Sequence, residues 1–150
     1  MALDANNWAA TTWARLHADS DHGRVFFYYF THVPPFGGKV AEHGCELTYV
    51  FDYPPRKFRY TVQLPLAATA DIRLVDTVQT YLTNFAKSGD PNRKGLPPWP
   101  EFHRDNPRAL QLDTTPAAIP LPDPPGLSVW DAYMAKAREQ GMSGTRAAAR

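Results

Sequence analysis

The chain has 150 residues, enough for one ordinary domain, and carries a formal charge of +1 from 16 basic and 15 acidic side chains. The two signs are interspersed, which excludes a basic face for nucleic acid, and the longest apolar run, near Val25–Phe30, is far short of the ~20 residues a membrane helix needs. Cys45 is the single cysteine, so an internal disulfide and a cysteine-based zinc site are excluded. Fifteen prolines, about twice the usual share, predict short elements joined by stiff, irregular connections. Met1–Ala10 lacks the basic start and apolar core of a signal peptide, but in a piece of a longer protein this leaves the compartment unknown.

Trp8–Ala18 is predicted to be a helix, with Trp13 and Leu16, flanked by Ala9 and Thr12, on one face. Asp19–Gly23 is a turn, and Val25-Phe-Phe-Tyr-Tyr-Phe30 is a strand. That strand is apolar on both faces, as expected for a central strand of a mainly parallel sheet covered by helices. Thr31–Gly38 is a loop that includes Gly37-Gly38, and a polar turn carrying His43 follows it. Cys45–Phe51 reads as a short helical turn, and Phe58–Val62 as a brief extended piece.

Asp71–Lys87 is the clearest helix, with Ile72, Val75, Val78, Leu82 and Phe85 at a spacing of three to four. Asp71 is placed to cap its start, Lys87 suits its negative end, and Gly89 with Pro91 stops it. Ala109–Asp113 alternates, like a half-buried strand. Ser128–Gln140 is the last predicted helix, with Ser128 and Asp131 as a capping box and Trp130, Tyr133, Met134 and Ala137 on one face. The organisation expected is one folded portion over 1–140 and a disordered tail over 141–150. The class is α/β, but with an incomplete sheet. A buried central strand needs neighbours on both edges, and each unpaired buried backbone group costs about 1–3 kcal/mol.

Four segments resemble the C-terminal part of the type-B carboxylesterases, the α/β-hydrolase family that includes the cholinesterases. Thr12-Trp-Ala-Arg-Leu16 is similar to the helix before the last long strand, and Val25–Phe30 with Thr31-His32 and Pro34 to that strand and its exit. Glu42-His-Gly-Cys-Glu-Leu-Thr-Tyr-Val-Phe51 resembles the family's His-Gly-x-Glu-hydrophobic block. Tyr81–Asn92, then Trp99-Pro-Glu-Phe102 and Leu110-Gln-Leu-Asp113, resembles the closing helix and tail. The family domain is several times longer, so the resemblance implies a C-terminal fragment of an α/β-hydrolase fold, whose partner is the missing N-terminal portion of the same domain.

The resemblance implies a serine hydrolase acting on small-molecule esters without cofactor or metal, with His43 as the triad histidine. In such a triad the histidine takes the serine's proton and gives it to the leaving alcohol, an acid fixes the imidazole, and backbone N–H groups hold the oxyanion. A strained Gly-x-Ser-x-Gly elbow carries the nucleophile and lies upstream of the histidine. Ser20, Ser88, Ser128 and Ser143 all lack that context, and no carboxylate here inherits the acid's role, so His43 is the one catalytic residue carried over. Glu46 reads as a structural residue, through a backbone contact or an arginine partner. Glu42 and Cys45 read as lining an acyl pocket or as packing. The five histidines, His17, His22, His32, His43 and His103, fit no metal-ligand spacing. Arg56, Lys57 and Arg59 form a small solvated patch. The alternative function is a non-catalytic interaction module built on the same fold; a third is an independent small fold.

Overall fold

A computed structural model describes residues 2–20, 23–35, 39–51, 69–122 and 126–147. Its elements are α1 (Ala2–Ala18), β1 (Tyr28–Phe30), α2 (Leu47–Val50), α3 (Thr69–Ser88), β2 (Arg108–Leu112), β3 (Ala117–Pro120) and α4 (Gly126–Ala147). The expected extended piece at Phe58–Val62, the Arg56/Lys57/Arg59 patch and Gly37-Gly38 lie outside the described residues. The chain divides into two units, one from Met1–Leu16 with Pro122–Arg150 and one from His17–Leu121.

In the first unit, α1 and α4 are tied by Trp8, whose Nε1 donates to Asp131 Oδ1 at 2.7 Å and whose ring lies 6.4 Å from that of Trp130. Arg15 also reaches Asp131, at 3.8 Å. Asp131 therefore bridges helices rather than completing a capping box, and α4 begins before Ser128, at Gly126. The helix also continues beyond the predicted end at Gln140, to Ala147. On α1 the buried positions are Thr11 and Ala14, whereas Trp13 is 76% exposed and Leu16 is also exposed. The predicted face is therefore the outward one. On α4, Leu127 is buried and Trp130 and Met134 are half-buried, but Tyr133 and Ala137 are exposed.

The second unit holds a three-stranded mixed sheet in the order β1-β2-β3. β1 runs parallel to β2, with Tyr28 opposite Leu110 and Phe30 opposite Leu112. β2 runs antiparallel to β3, with Ala109 opposite Ile119. β2 is the central strand, with Ala109 and Leu110 both fully buried on opposite faces, while β1 is short and pairs with β2 alone among the described residues. Periodicity misjudged β2 because Gln111 interrupts an otherwise apolar stretch, and Gln111 is half-buried, donating to the Thr31 hydroxyl. Upstream of β1, the backbone continues extended enough for Phe26 to bridge Glu101 and for Val25 O to accept from Phe102 N–H.

α3 packs its buried face, Leu74, Val78 and Tyr81, into a core with Tyr49, Trp99, Leu110 and Leu112. That face is rotated from the predicted stripe, since Ile72 and Phe85 are exposed and Leu74 and Tyr81 are buried. Trp99 is the hub of the aromatic packing, with Phe26, Tyr28 and Tyr81 edge-on at 5.3–6.2 Å. Its Nε1 donates to Phe27 O at 2.9 Å, which fixes the ring against the strand backbone. α3 stops as predicted. Gly89 has φ +72°, a left-handed conformation glycine adopts without a Cβ penalty, and its N–H closes on Phe85 O at 2.8 Å.

The segment after α3 is built by one asparagine. Asn92 Oδ1 accepts from Trp99 N–H at 2.7 Å and Nδ2 donates to Trp99 O at 3.0 Å. Asp90 receives Asn92 N–H and also Arg24, which spans to Glu101 and lies over the Phe26 ring. The Arg24 guanidinium, then the Asn92 groups, hold the exposed Asp90 carboxyl down to about 2.

Candidate active site

His43 sits on a solvent-exposed turn between the exit of β1 and the start of α2. The turn is closed by Cys45 N–H to Glu42 O at 3.2 Å and Leu47 N–H to Gly44 O at 3.2 Å. Gly44 has φ +83°, so a glycine directly after the histidine is what lets the chain reverse here. His43 has no side-chain hydrogen bond or ion pair among the described residues, so its imidazole is open to a partner from outside this set.

Glu46 accepts at its backbone carbonyl from the N–H groups of Tyr49 and Val50 and so begins α2. Its carboxylate caps nothing and has no arginine partner among the described residues, unlike the structural roles expected from the sequence. Instead it borders an apolar cleft of about 230 Å³ whose walls include Tyr28, Phe30, Leu47, Phe51 and Trp99. Cys45 is half-buried, and burial first and the Glu46 charge second push its thiol upward, away from the reactive thiolate. It does not line the cleft.

Directly behind α2 is a buried polar cluster for which the sequence offered no forecast. Tyr49 is 1% exposed and its hydroxyl donates to Asp71 Oδ1 at 2.7 Å. His32 Nε2 meets the same Asp71 oxygen, also at 2.7 Å. A hydroxyl this deeply buried needs a partner, since leaving it unmade costs about 1–3 kcal/mol. Burial, then Asp71, pushes the Tyr49 phenol far above its ordinary range. On its other side His32 Nδ1 lies 3.5 Å from Asp113 Oδ1. Burial works against the Asp113 charge, but hydrogen bonds from the Thr31 hydroxyl and the Thr114 N–H, with His32 beside them, hold its carboxyl below the usual range. Asp71 is thus not the cap of α3. The helix starts earlier, at Thr69, and Asp71 turns inward from its first turn. The only sequence hint was that a charged residue heads a helix on the same side as the buried Leu74 and Val78.

None of the serines stands on a strand-to-helix elbow. Ser20 donates to His17 O beyond α1, Ser88 donates to Asn84 O at the end of α3, and Ser128 and Ser143 lie within α4. Among the described residues no group of three His, Cys, Asp or Glu side chains could hold a metal ion, and no helix is long and apolar enough to cross a membrane.

A model of the carboxylesterase family matches residues 5–128. Carboxylesterase 3 of Homo sapiens is 36% identical over 101 residues, 63% of this chain and 18% of that protein. The medium-chain fatty acyl-CoA hydrolase precursor of Anas platyrhynchos is 34% identical over 117 residues, covering 74% of this chain and 19% of its own length. Among solved structures, a thermophilic PNB esterase superposes with a TM-score of 0.61 at 21% identity, covering 77% of this chain and 23% of that one. A second PNB esterase does so at 0.61 and 23% identity, covering 75% and 22%. The structural likeness shows the fold, an incomplete part of an α/β-hydrolase sheet with its helices. The chain spans about a fifth of the length of the curated relatives it matches.

Proposed function

Since this chain belongs to the carboxylesterase family, we propose that it is the C-terminal, histidine-bearing part of a serine carboxylic-ester hydrolase, with His43 as the general base and acid. The observation that carries this is the placement of His43. It is exposed, follows a parallel strand, and is free of partners among the described residues, as a base awaiting a serine and an acid from elsewhere must be. An imidazole suits both proton transfers because its ordinary pKa of ~6.5 lies near working pH. In the complete site the serine oxygen attacks the ester carbonyl while its proton passes to the His43 imidazole. The imidazolium then returns that proton to the departing alcohol, and water repeats the sequence to release the acid.

The upstream portion of the domain is the partner, and it supplies the nucleophile, the acid and the oxyanion donors. It also covers what this chain leaves open. Tyr28, Leu47 and the 70%-exposed Phe51 are large apolar side chains around the cleft, and β1 has an edge unpaired among the described residues that a neighbouring strand can take. A complete α/β-hydrolase sheet would occupy that edge.

The test is turnover of p-nitrophenyl esters by the purified chain, alone and co-expressed with an N-terminal carboxylesterase portion carrying a Gly-x-Ser-x-Gly elbow. The chain alone is expected to be inactive. The pair is expected to be active and to lose activity on His43→Gln. Serine-dependent turnover by the chain alone, or full activity of the His43→Gln pair, would sink the proposal. The open edge and cleft also favour a second function, a non-catalytic interaction module, which predicts a stable complex without turnover.

A further inference from the structure

His32 and Tyr49 stand at the two ends of the segment that carries His43, and both meet one oxygen, Asp71 Oδ1, at 2.7 Å each. His32 follows β1 directly, and Tyr49 lies in α2, directly after the turn of His43. All three side chains are buried, with Asp71 6% exposed. The ends of the His43 segment are therefore clasped to the first turn of α3, the longest helix of the sheet-bearing unit. The clasp is braced from behind. Asp113, directly after β2, lies against His32 Nδ1 and takes the Thr31 hydroxyl, while Gln111 holds the other side of that hydroxyl. The rings add contact, with His32 edge-on to Tyr49 at 5.4 Å and to Phe30 at 6.3 Å.

From this geometry we infer that Asp71 is a positioning residue for His43. It fixes the base of the histidine's segment to α3 through His32 and Tyr49, without touching the reacting atoms. The inference rests on the proposed catalytic role of His43. A general base needs its nitrogen within hydrogen-bond reach of the serine oxygen, and a misplacement of about 1 Å can cost about 100-fold in rate. His43 is on an exposed turn with no side-chain partner among the described residues, so its position is set by what holds the ends of its segment. A carboxylate suits the task because one oxygen can accept two donors in a dry site, where charged hydrogen bonds are strong.

Two readouts test this. The first is hydrogen exchange on the full chain, comparing the parent with Asp71→Asn and Tyr49→Phe. Asparagine keeps the shape but loses the charge that holds both donors, so residues 42–50 are expected to exchange roughly tenfold faster while 108–112 stay protected. Unprotected exchange at 42–50 in the parent would overturn the clasp, as would an Asp71→Asn effect no larger at 42–50 than at 108–112. The second is kcat per active site in the two-part enzyme, with sites counted by covalent titration of the serine. Asp71→Asn is expected to lower kcat by about 10- to 100-fold with KM nearly unchanged, and Tyr49→Phe to lower it less. An unchanged kcat per titrated site would overturn the positioning role even if the variant is less stable. If His43→Gln leaves turnover intact, the catalytic reading fails, while the exchange measurement still decides the clasp.

Discussion

Asn92→Ala should unfasten the segment between α3 and β2. The Asn92 side chain accepts from Trp99 N–H at 2.7 Å and donates to Trp99 O at 3.0 Å, and both Trp99 groups lie part-buried beside the core. Two neutral hydrogen bonds at about 1 kcal/mol each, plus partial desolvation of the stranded Trp99 groups, give a loss of about 2–3 kcal/mol. The contacts of Asn92 with Asp90 are exposed and add little to that figure. With a urea dependence of roughly 1–3 kcal/mol/M, the unfolding midpoint should fall by roughly 0.7–3 M. The assay is urea denaturation followed by tryptophan fluorescence, which reports on the buried Trp99. Asn92→Asp sharpens the test. Its carboxylate can still accept the Trp99 N–H, but it faces Trp99 O and the Asp90 carboxylate where an amide N–H had donated. At neutral pH it should cost at least as much as alanine despite its matching shape. A midpoint shift below about 0.3 M for alanine, or an aspartate variant as stable as the parent, would refute the claim that this amide builds the turn.

Leu110→Ala removes a fully buried side chain from the central strand and should cost about 2–5 kcal/mol, measured by the same denaturation; a loss under about 1 kcal/mol would mean the core is not closed around β2. Asp90 and Asp113 both have carboxyls held below the ordinary ~3.9, so the contribution of each is present above that value and drains away as pH falls through its lowered folded-state value, about 2 for Asp90. Melting temperature should therefore drop over that window, less steeply in Asp113→Asn, and a flat acid limb would contradict it. Burial pushes Tyr81 up to about 12 and Tyr49 higher still, so the native state disfavours both phenolates and loses stability as pH rises from ~10 toward about 12. Ultraviolet titration should show late-ionising tyrosines that join the others in denaturant; all seven titrating together near pH 10 in the native chain would count against this. The chain alone should also bind hydrophobic dye strongly or self-associate, because Trp13, Leu16, Leu47 and Phe51 are exposed; a dye-silent monomer in size exclusion would contradict the need for a covering portion.

Trp13 and Leu16 show where reading periodicity alone stops. They mark the apolar face of α1 read from the sequence, yet the small Thr11 and Ala14 are the buried pair. Periodicity finds the apolar side of a helix but not what lies against it, and in a chain that spans about a fifth of its relatives' length an apolar side has no guaranteed cover here. The same reason applies to the strands. Val25–Phe30 has the composition of a strand covered on both faces, but among the described residues β1 is an edge, while the less apolar β2 is central because it alone there has neighbours on both sides.

The residues alone determined the helices at 71–87 and 128–140, the glycine stop after α3, the turn around His43 and the resemblance to carboxylesterases. These are local facts, written in spacing, capping chemistry and short motifs. The tertiary structure decided which faces are buried, that Asp71 points inward instead of capping α3, and that His32 and Tyr49, far apart in sequence from Asp71, share one of its oxygens. Such a cluster leaves no periodic trace because a polar contact over dozens of residues depends on where the chain folds back. His43 itself could be singled out in the sequence, and the means of holding its segment could not.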